Sequence, residues 1–261
     1  MTVENSTVAG TRCASEILSQ ARLAVALTGA GLSTESGIPD FRSPGGVWEK
    51  FQPVYYQDFV ASHAARREHW EYKRATVPPM LSAQPNPGHV TLANLEREGR
   101  LTAVITQNID GLHQRAGSRR VLELHGTNSE ALCLQCHQRV PIEDCLAQLD
   151  GGVEVPVCSA CGGWMKPATV SFGQSLPADI LQEAASLARE ADCFFALGSS
   201  LLVHPAASLA GLAKESGARL IVVNLTETPY DAMADVVVRA NVASTLPEIA
   251  AAITTQGASR H

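Results

Sequence analysis

Two cysteine pairs, Cys133-Leu-Gln-Cys136 and Cys158-Ser-Ala-Cys161, carry the most specific chemical signal in the chain. Each pair can turn two sulfurs toward one point, and the intervening residues suffice for a hairpin that brings the pairs together. Four thiolates make a closed tetrahedral donor set, the arrangement of structural zinc with no position open to a substrate. The chain has seven cysteines, an odd number that fits metal ligation and free thiols better than a disulfide framework. Cys133-Leu-Gln-Cys136-His137 also fits the attachment pattern of c-type haem. That chemistry needs an exported chain and leaves Cys158 and Cys161 without a role. One Zn²⁺ on Cys133, Cys136, Cys158 and Cys161 is therefore expected, as the support of a module too small to build a core of its own.

A second constellation begins at Thr28-Gly29-Ala30-Gly31-Leu32-Ser33, which follows an apolar run as a phosphate-binding loop follows a strand. Such glycines let backbone N–H groups approach a pyrophosphate, although they can equally serve a tight turn. Further polar groups stand at the ends of other apolar runs: Gln107-Asn108-Ile109-Asp110, His125, Gly198-Ser199-Ser200 and Asn224. Asn224 takes the place where a dinucleotide fingerprint has a ribose-binding acid, and its amide can still bond ribose hydroxyls. Pattern does not choose among His125, His89 and His113 as the reactive imidazole, and each has a structural alternative.

These groups need a scaffold that brings strand ends together. Short apolar runs at 23–28, 102–106, 121–124, 193–197, 219–224 and 235–238 lack polar alternation, as strands buried on both faces do. Helical patterns lie between them at 11–21, 89–98, 177–190 and 205–216, and a last helix is expected to start at Thr245-Leu-Pro-Glu248, a capping-box spacing. The alternation predicts an α/β fold, a doubly wound parallel Rossmann-like sheet. Residues 43–87, rich in aromatics, and 129–166, rich in Cys and Gly without a long periodic segment, break the pattern. They are expected to form a smaller helical and zinc-binding lobe inserted into a sheet domain of residues 1–42, 88–128 and 167–261.

Bulk properties remove other classes. The 261 residues carry 20 basic and 26 acidic groups, a net charge of −6 that offers no basic footprint for nucleic acid. The N-terminal MTVENSTVAGTR has neither a basic n-region nor an apolar core, so export is not expected and a cytoplasmic location is. The run 193–213 approaches the length of a membrane span, but Gly198-Ser199-Ser200 and His204-Pro205 interrupt it, so no membrane segment is expected. No feature specifies an oligomer.

Taken together, Gly29-Ala30-Gly31-Leu32-Ser33, Gly37-Ile38-Pro39-Asp40-Phe41-Arg42, Gln107-Asn108-Ile109-Asp110, Leu124-His125-Gly126, the two cysteine pairs, Phe172-Gly173, Gly198-Ser199-Ser200 and Val223-Asn224 resemble the sirtuins, NAD-dependent protein-lysine deacylases. The matches occur in family order, and the pattern around Pro85-Asn86-Pro87-Gly88-His89 and Thr226-Glu227-Thr228-Pro229 looks most like the bacterial deacetylases. The resemblance implies that NAD is consumed as a co-substrate and that acetylated-lysine protein segments are the partners. It implies contacts to NAD from Gly29, Ala30, Gly31, Ser33, Phe41, Arg42, Gln107, Asn108, Ile109, Asp110, Gly198, Ser199, Ser200 and Asn224, with Val242 on the adenine side. By the same resemblance His125 is the general base and Asn108 shares the catalytic site. Val170, Ser171, Phe172 and Gly173 would pair with the substrate peptide as an added strand. The products would be free lysine, nicotinamide and O-acetyl-ADP-ribose.

Gln174 departs from the acidic residue usual after Phe-Gly, which bears on charge preference around the target lysine. Family members that favour succinyl or malonyl groups resemble one another in a Tyr-x-x-Arg pair; here Tyr72 and Arg74 are two apart and Ala75 stands where arginine would. No cation is therefore expected on the acyl wall, and acetyl should be preferred to succinyl. Mono-ADP-ribosyl transfer shares the first steps and remains an alternative. An ordinary NAD oxidoreductase is disfavoured by Asn224 and the Phe41-Arg42 loop, and a zinc-ribbon binding module by the net charge and the intact cleft.

Overall fold

The structure, a computed structural model, describes residues 3–40 and 52–258. Six parallel strands form the main sheet: β1 (Ala24–Thr28), β2 (Ala103–Thr106), β3 (Val121–Glu123), β7 (Cys193–Leu197), β8 (Arg219–Val223) and β9 (Val236–Val238). They lie in the order β3-β2-β1-β7-β8-β9, so all six expected strands pair in one sheet. The chain builds outward from β1 on one side, then crosses back to place β7 on the other. Ligands bind outside the carboxyl ends of strands at such a reversal.

The unalternating apolar strands follow from helices on both faces. Val25, Leu27, Phe194, Ala196, Leu220 and Val222 pack with Ala184 and Leu187 of α7 (Ala178–Glu190) and with Leu209 and Ala213 of α8 (Ser208–Glu215). Their chain neighbours Ala24, Ala26, Phe195, Leu197, Ile221 and Val223 face the other way. There they meet Leu18 of α1 (Val3–Gln20), Leu92 and Leu95 of α4 (Pro87–Arg97), and Leu246 and Ile249 of α9 (Val242–Ala258). Two helix starts differ from expectation. α9 begins at Val242 because the Asn241 carboxamide accepts the Ala243 N–H at 2.8 Å, which leaves Pro247 inside the helix. α8 begins at Ser208, after turns through residues 204–207.

The smaller lobe has an antiparallel sheet of β4 (Gly126–Cys133), β5 (Arg139–Pro141) and β6 (Met165–Thr169), ordered β5-β4-β6. The β4–β6 register shifts between Gly126 and Ala131. The segment without a long periodic run does contain a helix, α6 (Ile142–Asp150), whose Ile142, Cys145, Leu146 and Leu149 are buried. Nor is metal its only core. Those residues join Phe59 of α2 (Tyr56–Ala61), Trp70 and Val77 of α3 (His63–Ser82), Val155 and Met165 in one apolar cluster. Trp70 Nε1–H donates to Met165 O at 3.1 Å and fastens α3 to β6. The two insertions thus share a core, because neither has enough apolar residues to close one alone. No described helix is long and apolar enough to cross a membrane.

Candidate active site and metal centre

Strands β1 and β7 are neighbours, with Thr28 opposite Leu197, and their glycine turns touch just past that point. Gly29 N–H donates to Leu197 O at 3.0 Å and Gly31 N–H to Gly198 O at 2.9 Å. A Cβ on Gly29 would stand 2.8 Å from Gly198 O, and one on Gly31 2.9 Å from it. Gly198 adds a φ of +60° and a Cβ position 2.5 Å from Leu32 N. These glycines are required where backbone lies directly on backbone. The chain then makes two single 3₁₀ turns, Ala30–Leu32 and Thr34–Ser36, and closes at Gly37 with φ 82°. Asn86 Nδ2 donates to Leu32 O at 2.7 Å and Ser36 Oγ at 3.0 Å, stapling these turns to the start of α4. Phe41 and Arg42 lie outside the described residues.

A cleft of about 1190 Å³ opens above the strand ends; its walls include Gly29, Ala30, Gly31, Gln107, Asn108 and Ile109. His125, Val170–Gly173, Gly198, Ser199, Ser200 and Asn224 complete the side where the expected site residues converge. His125 occupies the turn between β3 and β4, with Nδ1 3.0 Å from Gln107 O. A carbonyl can only accept, so Nδ1 carries the proton and Nε2 keeps a lone pair. Burial holds the His125 pKa below the usual value, against the opposing pull of the Gln107 carbonyl. The ring is accordingly a neutral base at pH 7.

Gln107 also donates from Nε2 to Ser199 Oγ at 2.9 Å, and Leu201 N–H donates to the same oxygen at 3.2 Å. With two bonds accepted, the Ser199 hydroxyl hydrogen remains to donate to an anionic oxygen. Asn224 Nδ2 donates to Thr226 O at 2.9 Å and Thr226 Oγ1 at 3.2 Å, which leaves its carbonyl oxygen to accept from a hydroxyl. Donors and acceptors of this kind, between two close-packed turns at a sheet's reversal, suit a dinucleotide.

Asn108 is held from behind. Its Nδ2 donates to Gly29 O at 3.1 Å and Ser33 Oγ at 3.0 Å, and Ser33 Oγ–H donates to Asp110 Oδ2 at 2.7 Å. Ser33 and Asp110 are buried behind the wall rather than on it. Val242, at the start of α9, packs into the core with Leu32 and Leu246 and does not line the cleft. His89 of α4 and His113 of α5 (Leu112–Ala116), which pattern does not separate from His125, are also buried off the cleft, their ring centroids 5.0 Å apart. Burial lowers the His89 pKa to about 4 against the opposing charge of Asp110, and burial with the neighbouring His89 lowers that of His113 to about 3.

The segment at Val170–Gly173 continues β6 past His125. Val170 N–H donates to His125 O at 2.8 Å, Ser171 N–H to Gln174 Oε1 at 3.1 Å, and Tyr56 N–H to Phe172 O at 2.9 Å. Gln174 thus closes a turn beside the cleft. On the α3 wall, Arg74 turns outward to Asp150 at 2.8 Å. The expectation of no cation on that wall is corrected by Lys73, which lines the cleft, is 4% exposed and donates from Nζ to Asn128 Oδ1 at 2.8 Å. Burial, with Lys166 nearby, pushes its pKa down to about 7. Lys73 carried no sequence signal, because its burial arises only when α3 packs on the small sheet.

Away from the cleft, the sulfurs of Cys133, Cys136, Cys158 and Cys161 all lie within 4.8 Å of one another. Cys133 and Cys161 are 3.5 Å apart and Cys136 and Cys158 3.7 Å. Thiolates about 2.3 Å from a tetrahedral zinc stand about 3.8 Å from each other, so the four fit such an ion. Amides of Gln135 and Cys136 point at Cys133 Sγ (3.4 and 3.5 Å) and that of Gly163 at Cys161 Sγ (3.4 Å), which favours thiolate. None of the four lines the cleft, so the metal serves structure.

Metal analysis should return one zinc per chain, and Cys158→Ala should lose it while destabilising the small lobe. Zinc-free wild-type protein, purified without chelator, would contradict the assignment. The buried histidines set an acid limit. Their folded pKa values, about 4 and about 3, lie below the ordinary 6.5, so the unfolded chain binds the extra protons. Their contribution is complete above pH 6.5 and falls as pH drops toward 4. The loss approaches about 2.7 kcal/mol per pH unit for two protons. Denaturant titrations at several pH values should show His113→Gln losing about one proton less of slope than wild type; equal slopes would refute the assignment.

Comparison with known proteins agrees with this geometry. A model described as the Sir2 family matches residues 29–205. An NAD-dependent protein deacetylase of Thermotoga maritima is 47% identical over 220 residues, covering 84% of this chain and 88% of that one. NAD-dependent protein deacetylase 2 of Streptomyces coelicolor is 46% identical over 233 residues, covering 87% and 96%. A solved structure of Sir2 with a p53 peptide and NAD⁺ superposes with a TM-score of 0.83 at 43% identity, covering 94% of this chain and 97% of the other. A Sir2 structure with a deacetylated p53 peptide and 3′-O-acetyl ADP ribose gives 0.85 at 44% identity, covering 90% and 95%. By sequence and by fold, the chain belongs to the Sir2 family.

Proposed function

We infer that the chain is an NAD-dependent protein-lysine deacetylase. It would convert an acetyl-lysine segment, NAD and water into free lysine, nicotinamide and O-acetyl-ADP-ribose. The observation that carries this reading is His125, whose Nδ1 proton is committed to Gln107 so that the Nε2 lone pair stands on the cleft. NAD, the co-substrate, supplies nicotinamide as a neutral leaving group and a ribose that accepts the acyl group. Ser199 donates its hydroxyl to a phosphate oxygen, the Asn224 carbonyl accepts from a ribose hydroxyl, and the Gly29–Gly31 turn gives close backbone approach. Asn108, Ile109 and Asp110 order the nicotinamide end, with Phe41 and Arg42 in the roles that the resemblance implies. Val242 would act on the adenine side only through the core beneath it. His125 Nε2 removes the proton from the ribose hydroxyl that captures the acyl carbon.

The peptide is proposed to lie along Val170–Gly173, beside His125, which brings its lysine to the base. A cytoplasmic location accompanies the reading, since four thiolate ligands need a reducing compartment. Above pH 7 burial leaves Lys73 mostly neutral, so a succinyl carboxylate would be desolvated there without a charged partner.

His125→Ala should lower deacetylation by about 10²–10⁴ while NAD still binds. Mass spectrometry of an acetylated peptide with NAD reads the products directly. Near-normal turnover by the folded variant would remove His125 from the role, and ADP-ribosylated protein in place of O-acetyl-ADP-ribose would select the transferase alternative. On matched peptides at pH 8.5, kcat/KM for acetyl-lysine should exceed that for succinyl-lysine; equal values would mean that Lys73 still pairs with the carboxylate.

A further inference from the structure

Beneath the cleft runs a line of hydrogen bonds that the reaction itself does not use. Thr28 and Thr106, the last residues of β1 and β2, are direct partners in the sheet register. Thr28 Oγ1 bonds Thr106 Oγ1 at 2.8 Å, Thr106 Oγ1 accepts Asn108 N–H at 3.0 Å, and His113 Nε2 lies 2.9 Å from Thr28 Oγ1. All four residues are buried, His113 at 1% exposure. The Asn108 side chain is held separately by Gly29 O and Ser33 Oγ, so this line fixes its main chain.

The direction of the line can be read from its far end. Asn86 N–H can only donate, and it meets His89 Nδ1 at 3.4 Å in the capping box of α4. His89 Nδ1 is therefore bare and Nε2 carries the proton. His89 Nε2 and His113 Nδ1 are both buried without a partner, on rings 5.0 Å apart. If His113 carried its proton on Nδ1, two unpaired donors would stand buried on neighbouring rings. With the proton on Nε2, His89 offers a donor and His113 an acceptor, and the unfavourable pairing disappears. The Nε2 proton then goes to Thr28, the Thr28 hydroxyl proton to Thr106, and the second Thr106 acceptor position to Asn108 N–H.

We propose that His113 is a positioning residue for the deacetylation reaction, acting through Thr28 and Thr106 to set the backbone turn that presents Asn108 to the cleft. This rests on the reading of the cleft given above. Asn108 stands where the ribose and nicotinamide would part, and small misplacement there is costly. Ser199 and Asn224, which would hold the rest of the cofactor, lie on other strand ends. Losing the line should therefore lower kcat and leave the KM for NAD nearly unchanged.

Two pairs of variants test this. Thr28→Val keeps the shape and removes the hydroxyl, whereas Thr28→Ser keeps the hydroxyl. His113→Phe removes the donor, whereas His113→Gln can place an amide N–H near the Nε2 position. Thr28→Val and His113→Phe should lower kcat about 10- to 100-fold with little change in the KM for NAD. Thr28→Ser and His113→Gln should recover most of the rate. Wild-type kcat in Thr28→Val, a Gln variant no better than Phe, or a KM that rises as kcat falls would each overturn the proposal. Should His113→Phe fail to fold, the isosteric Thr28 pair decides alone. ¹⁵N NMR of the histidines reads the tautomers without turnover: protons on Nε2 of both His113 and His89 are expected, and an Nδ1 proton on His113 overturns the line. Wild-type protein with these tautomers but no NAD-dependent deacetylation would instead defeat the proposed function, and with it the role assigned to His113.

Discussion

Backbone resting on backbone at the sheet's reversal is the constraint from which the site follows. Where Gly29 and Gly31 meet Gly198, a single methyl group would fall 2.5 to 2.9 Å from main-chain atoms. Only this approach lets the turns after β1 and β7 form one continuous rim, with Gln107 reaching across from β2 to Ser199. Because the Gln107 carbonyl also accepts from His125 Nδ1–H, the same rim settles the tautomer of that imidazole. The glycine contact is thus linked to the His125 imidazole through two hydrogen bonds.

The molecule also divides its apolar material in an instructive way. The large sheet sends the alternate apolar side chains of its strands to helices on opposite faces. The small lobe cannot do this, since its sheet has only three strands and Asn128, Lys166 and Thr169 place polar groups among their buried residues. It borrows Trp70, Phe59 and Val77 from the helical insertion and adds a metal centre at its tip. Core and metal share the work of holding it. The polar remainder of that interface, Lys73 on Asn128 with Lys166 nearby, ends up against the cleft, where burial suppresses its charge.

How much of this was legible depends on whether a residue's environment is local. The six sheet strands were, because burial on both faces removes polar alternation from the sequence itself. The cysteine ligands were, because spacing within each pair is a local property. Helix α6 was not, although Ile142, Cys145, Leu146 and Leu149 have helical spacing, because that spacing runs for only nine residues. The start of α9 was missed because Asn241, before the apparent capping box, makes the cap. His125, His89 and His113 are equivalent as pattern, and only the tertiary fold exposes one and buries two. Ser33 and Asp110 stand out in the sequence as part of the constellation, but their place behind Asn108 comes from side chains meeting across loops. Lys73 belongs to the same class: nothing in its own segment announces burial.

Strand β4 has a mechanical consequence. It leaves His125 at one end and delivers Cys133 at the other, so a single beam links the imidazole to the cysteine tip. At about 3.3 Å per residue its eight residues span roughly 26 Å, long enough for a tilt of only two or three degrees at the tip to displace the other end by about 1 Å. The beam is jointed, however, where its register with β6 shifts between Gly126 and Ala131. On the near side of that joint, Leu124 is bonded to Thr106 and His125 to Gln107, both belonging to the main sheet. The imidazole is therefore anchored directly to strand ends of the main sheet, and a tilt at the metal tip reaches it only through the joint and the single Val170 N–H bond to His125 O.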